Sequence, residues 1–177
     1  MPTLLFIPTS IGLEYSHNFN TFSMKLSTPQ GISADIKWNS DPADKDDFDA
    51  GGSATLTGGQ DMNLHAEFFV EKFVQDQSRS STTQNLIDLW QSTGADRSIT
   101  PTVSKLKNGD YAVSGLHNGD IVMTMRTFDF NHDGQLDCYF IFEGYRTEGV
   151  YQDLLNYIAS SANVTPYSVA NWIPYSD

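Results

Sequence analysis

Apolar and polar residues alternate with period two along much of this chain, the mark of strands with one face toward a core and one toward water. Phe22 to Leu26 alternates in this way, as does Ile32 to Trp38. The intervening Thr28, Pro29, Gln30 and Gly31 read as a hairpin turn. Leu4 to Ile7 is a short apolar run. Asn39 to Gly52 is a loop by composition, and Ser53 to Thr57 predicts a short strand before the turn Gly58-Gly59. Asn63 to Val74 fits two periods. Leu64, Ala66, Phe68 and Val70 alternate as in a strand, while Leu64, Phe68, Phe69 and Phe73 would make a helical stripe. The Phe and Val content favours the strand.

Leu86, Ile87, Leu89 and Trp90 lie at helical spacing and predict a helix over 84–91, capped by the Ser81-Thr82-Thr83 segment and closed by Gly94. Between Thr100 and Glu143 four apolar runs, near 102–107, 110–117, 120–129 and 136–142, are divided by turn signals. Asn108-Gly109 and Asn118-Gly119 suit type I′ turns, whose two central residues need positive φ. The four runs predict an antiparallel meander. Val150, Tyr151, Leu154, Leu155 and Ile158 share one face of a helix over 148–161, with Thr147 as N-cap. Thr165-Pro166 suits the start of a second short helix packed by Val169, Trp172 and Ile173 and stopped by Pro174. The predicted fold is α+β: one domain over 1–177, a mostly antiparallel sheet or sandwich with a four-strand meander and C-terminal helices.

Between the third and fourth runs of the meander lies the one strong chemical signal. Asp129, Asn131 and Asp133 occupy positions one, three and five of a nine-residue loop, 129–137. Calcium takes six to eight oxygen ligands at about 2.3–2.6 Å, and a short loop supplies them from alternate residues. Gly134 at position six permits the bend that turns the next carbonyl inward. Gln135 offers that backbone oxygen, and Asp137 at position nine adds a carboxylate, directly or through water. Three carboxylates against a divalent ion leave the loaded site with a single negative charge. The plainer alternative is an Asp- and Asn-rich turn with no metal. His132, at position four, faces solvent in such loops.

An EF-hand needs a bidentate Glu at position twelve, where this chain has Phe140, and helices on both flanks. The segment instead resembles the strand–loop–strand calcium hairpins of integrin α-subunits and FG-GAP repeat proteins, D-x-[DN]-x-[DN]-G-x-x-D. That resemblance implies a Ca2+ site with ligands at Asp129, Asn131, Asp133, Gln135 and Asp137. The motif occurs once, so no propeller is implied.

Composition narrows the function classes. Charged residues are 18% of the chain, against about 25% in average globular proteins. The surface is therefore rich in uncharged polar residues, a mix commoner in extracellular and virion-type domains. The net charge of -12 repels phosphate backbones, so no nucleic-acid partner is expected. It also disfavours anionic membrane surfaces, and no stretch has the length of a transmembrane segment. The single cysteine, Cys138, allows no intrachain disulfide. It is expected as a buried, inert thiol. The apolar start at Met1 is too short for a signal h-region and lacks basic residues. Asn163-Val164-Thr165 is a glycosylation triplet, meaningful only on a eukaryotic secretory route.

Other candidates have bland readings beside them. Asp41, Asp44, Asp46, Asp47 and Asp49 suit a second calcium or a solvated acidic loop. His65 and Glu67 suit a metal or acid–base pair on one strand face, and His17 and His117 could converge with them; satisfied histidines are the commoner case. Glu14, Glu67, Glu71 and Glu143 could include a glycosidase pair. Tyr15, Trp38, Trp90, Tyr111, Tyr139, Tyr145, Trp172 and Tyr175 could line a sugar site or simply fill the core. No nucleophile elbow, zincin helix or phosphate loop is present. The expectation is a calcium-binding, non-enzymatic extracellular or surface module that recognises a glycan or a protein. The alternative is a secreted hydrolase with a structural calcium. A toxin-like or pore-forming domain is a third class.

Overall fold

The computed structural model describes residues 11–39, 50–58, 62–73, 76–145 and 150–172. Leu4 to Ile7, the acidic stretch Asp41 to Asp49, Thr147 and Pro174 lie outside them.

The alternating segments form strands in chain order: β1 (Ile11–Asn18), β2 (Phe22–Pro29), β3 (Ile32–Asn39), β4 (Ala50–Gly58) and β5 (Met62–Lys72). Helix α1 (Thr83–Ser92) follows, then β6 (Thr102–Lys105), β7 (Tyr111–Asn118), β8 (Ile121–Phe128) and β9 (Cys138–Tyr145). Helix α2 (Val150–Ser161), β10 (Asn163–Pro166) and a 3-10 turn at Val169–Trp172 follow. A seven-stranded sheet has the order β3-β4-β5-β9-β8-β7-β6, and a three-stranded sheet the order β1-β2-β10. Every ladder is antiparallel. The protein is thus mostly antiparallel β with two short helices, and β6 to β9 form the expected meander.

The seven-stranded sheet has a packed cluster on each face. On one, Phe68, Val70, Phe140 and Phe142 pack with Phe22, Met24 and Leu26 of β2 and with Leu155 and Ile158 of α2. On the other, Val113, Met123, Met125 and Ile141 pack with Leu86, Leu89 and Trp90 of α1. Double coverage explains why β8 is buried from Val122 through Phe128, with no wet face. The N-cap of α1 is Thr82, whose Oγ1 accepts from the Asn85 amide at 3.3 Å. The helix ends before Gly94, which takes a φ of 92°. A Cβ on Gly52 would stand 2.4 Å from the Lys37 carbonyl and 2.6 Å from the Phe68 ring. Only glycine lets β3, β4 and that ring approach so closely.

Three local expectations are corrected. Thr28 to Gly31 is not a hairpin: β2 pairs with β1 and β10, β3 pairs with β4, and the turn carries the chain between sheets. Alternation sets which face of a strand is wet, not which strand lies beside it. Neither Asn-Gly turn is type I′, since only the glycines, Gly109 (95°) and Gly119 (56°), have positive φ. At the first, Gly109 N donates to Leu106 O and Leu106 N to Asp110 O, giving a longer turn closed by a left-handed glycine. Thr165-Pro166 ends a strand rather than starting a helix. Val164 pairs with Met24 and is buried, and a proline at a sheet edge costs no ladder bond. The strand reading of 63–74 is borne out by β5.

Candidate metal centre

The loop 129–137 joins β8 and β9 just past the Phe128–Cys138 pair. Its tip, Asn131 to Gln135, is exposed. Two carboxylates organise its backbone. Asp129 accepts the Asp133 amide on Oδ1 at 3.2 Å and the Gly134 amide on Oδ2 at 2.9 Å. Asp133 Oδ1 accepts the Gln135 amide at 2.9 Å, and Oδ2 accepts from Asn131 Nδ2 at 3.2 Å. The bend needs two residues at positive φ, His132 (57°) and Gly134 (85°). A histidine in the left-handed region carries a modest strain that glycine does not. The Gln135 amide, followed by Asn131, holds the Asp133 carboxyl below the usual range, so it stays ionised.

Asp137 lies beneath the tip and is fully buried. One oxygen accepts the Phe130 amide at 2.7 Å, and the other takes an ion pair from Arg79 Nη2. Burial pushes this carboxyl upward, against the pull of the Phe130 amide and of Arg79. Arg79 also donates through Nε to the Leu136 carbonyl at 2.6 Å, and its own carbonyl accepts the Leu136 amide at 2.8 Å. A bridge between Ser80 and Gln135 extends this clamp. Asp129, Asn131 and Asp133 therefore gather at the tip with the backbone of Gln135, and Asp137 anchors the loop from below. Among the described residues no three His, Cys, Asp or Glu side chains group as a cation cage. The tip has two carboxylates, and its further donors are amide and backbone oxygens. All are hard oxygen donors, the type calcium prefers.

Two supporting residues went unseen in the sequence. Arg79 lies far upstream of the loop and carries no motif. Asp110 follows Asn108-Gly109 and accepts the Asp129 amide on Oδ1 at 3.3 Å. Its Oδ2 accepts from Arg126 Nη2 at 3.3 Å. Arg126 is 4% exposed, and its Nη1 donates to the carbonyls of Ala159, Ser160 and Ala162. One buried guanidinium thus satisfies carbonyls left over at the end of α2 and is tied through Asp110 to the start of the loop. Burial lowers its pKa from the ordinary arginine value, and the Asp110 carboxylate opposes the shift.

Of the other candidates, His65, Glu67, Glu143 and Tyr145 line one small hollow, and the rest are spread out. His65 and Glu67 lie on β5, and Glu67 stands directly opposite Glu143 of β9. His117 is buried under Trp90 and bonds Thr93 Oγ1 at 2.8 Å through Nε2. His17 stacks on Trp38, in the part of the fold where β1 passes over β3. Glu14 pairs with Lys25 on the surface at 3.6 Å. Cys138 is buried, as expected of an inert thiol. Trp90 and Trp172 are core residues, whereas Tyr145 and Tyr167 are exposed.

Comparison with protein-family models, with curated proteins and with solved structures found no match to this chain. Among the described residues, no helix is long and apolar enough to cross a membrane.

Proposed function

We propose that the chain is a calcium-stabilised, non-enzymatic recognition or structural module, working in an extracellular or cell-surface setting and engaging a glycan or a protein. The observation that carries the calcium reading is the convergence of three backbone amides on Asp129 and Asp133. Those bonds fix both carboxylates at the loop, and Asn131 donates through Nδ2 to Asp133. In the proposed site Asp129, Asn131 and Asp133 give side-chain oxygens and Gln135 its carbonyl. Asp137 acts from beneath, through water or as the anchor that Arg79 neutralises. The ion's role is mechanical: it ties the ends of β8 and β9 together and offsets repulsion between Asp129 and Asp133. The polar, weakly charged surface and the absence of a catalytic signature in the sequence support a binding role.

The test is thermal melting with millimolar calcium and with chelator, beside calorimetric titration of calcium. Calcium should raise the melting point; at a hundredfold excess over Kd the gain is about 2.7 kcal/mol. Asp133→Ala should remove that response, and His132→Ala should keep it. Superimposable melts together with no heat of calcium binding would sink the proposal.

A further inference from the structure

The face of the seven-stranded sheet under α1 holds a cleft of about 540 Å3 beyond the helix, within the range of small-molecule sites. Strand register builds it. Met123, Glu143 and Glu67 form one row across β8, β9 and β5, with Met125, Ile141 and Phe69 in the next and Thr127, Tyr139 and Glu71 in the third. Phe69, Met123 and Ile141 give the cleft an apolar floor, and Glu71 and Glu143 stand at its walls. The Tyr139 hydroxyl donates to Glu71 Oε2 and orients that carboxylate. Glu143 shares its row with Glu67 directly opposite, an arrangement that costs stability when both are charged. Neither has a hydrogen-bond or ion-pair partner among the described residues. No described lysine, arginine or histidine lines this cleft; in the next row, His65 shares a second, smaller hollow with Glu67 and Glu143.

We propose that this cleft binds an alkylammonium group, a primary amine on a short methylene chain, with the nitrogen at Glu143, beside Glu67 across the ladder, and the methylenes on Phe69, Met123 and Ile141. The chemistry selects this class. A hard metal ion wants six to eight oxygens around one point, whereas Glu71 and Glu143 stand two rows apart with Phe69 and Ile141 between them. An amine on a methylene stem matches both parts, because such stems lie on apolar surface while their charge meets carboxylates. Burial, reinforced by Glu67, pushes the Glu143 carboxyl above its usual range. A bound cation reverses that cost, so the ligand relieves a strain built into the sheet. The amine can come from a free diamine or from a lysine of another protein. This inference does not depend on the calcium reading.

Calorimetry of the full chain with 1,5-diaminopentane and with Nα-acetyl-lysine-methylamide tests it, using 1,5-pentanediol as the neutral counterpart. Saturable binding of at least one amine is expected, with little or none for the diol. Binding of the diamine alone assigns the site to free amines, and binding of the lysine derivative alone to a protein lysine. Glu143→Gln should weaken binding about tenfold or more, as loss of a charge-assisted contact does. Glu67→Gln, at an exposed position that leaves folding intact, should weaken it in the same direction. Asp133→Ala should leave amine affinity unchanged, which separates this site from the calcium loop. No heat with either amine, equal binding of the diol, or full affinity in both glutamine variants would overturn the proposal.

Discussion

The two faces of the seven-stranded sheet are made by the same strands and close differently. One is sealed. Phe68, Val70, Phe140 and Phe142 meet β2 and α2; Thr124 donates to Asn156 and Arg126 to the end of α2, although Arg126 Nε and Trp172 Nε1 have no partner among the described residues. The other is covered only in part. Helix α1 has ten residues, about 15 Å of length, while seven strands at roughly 4.8 Å spacing span about 29 Å. Leu86, Leu89 and Trp90 seal the ground above Val113, Met123 and Met125. Past the helix, Glu71 and Glu143 face a cleft. The difference teaches that coverage, rather than strand composition, decides which part of a sheet stays open to a ligand.

The sharpest way to break this comparison is to open the sealed face. Arg126→Ala leaves the half-buried Asp110 without its cation and the α2 carbonyls without a donor. It should cost about 3–5 kcal/mol, as loss of one partner of a buried pair does. Urea unfolding would measure it, and a cost below 1 kcal/mol would mean that α2 does not depend on this guanidinium. Next come paired truncations, one per face. Phe68→Ala should cost about 3–5 kcal/mol and Leu86→Ala about 2–5. If the faces are as unequal as their coverage, Leu86→Ala should also raise hydrogen exchange in β7 and β8 while leaving β2 protected. Uniform exchange across both sheets would erase the distinction.

Acid should separate the faces further. Burial lowers the pKa of His117, which packs under Trp90 of α1. The folded state therefore takes up a proton less readily than the unfolded chain. Stability is intact above the ordinary histidine value of about 6.5 and is lost as pH falls below it toward the depressed folded value. Melting from pH 7.5 to 5 should show this loss, and His117→Gln should flatten it. The smallest expected effect has the opposite sign. Glu143 has a raised pKa, so its charge opposes folding at neutral pH and the penalty fades as the carboxyl is protonated. Glu143→Gln should raise the melting point slightly at pH 7 and leave it unchanged near pH 4. A lowered melting point at pH 7 would mean that the Glu67–Glu143 row carries no strain.

Some of this protein is written locally, and that part was readable from the chain. The meander from β6 to β9 follows from adjacent apolar runs with glycine turns between them, and strands joined by short turns pair with each other. Helix α1 follows from spacing and from Thr82. The geometry of 129–137 follows from alternating acidic and amide side chains around Gly134. All of these depend on residues within a few positions of one another. The tertiary structure alone decided the rest. Alternation in β2 and β3 is the same, yet they join different sheets. Thr165-Pro166 is a good helix start until Met24 offers Val164 a partner. Arg79 reaches Asp137, Arg126 reaches the end of α2, and Glu67 meets Glu143 across large gaps in sequence. Local pattern states which side of a segment is apolar; register between distant segments, set by how all those sides are buried together, states which charges become neighbours.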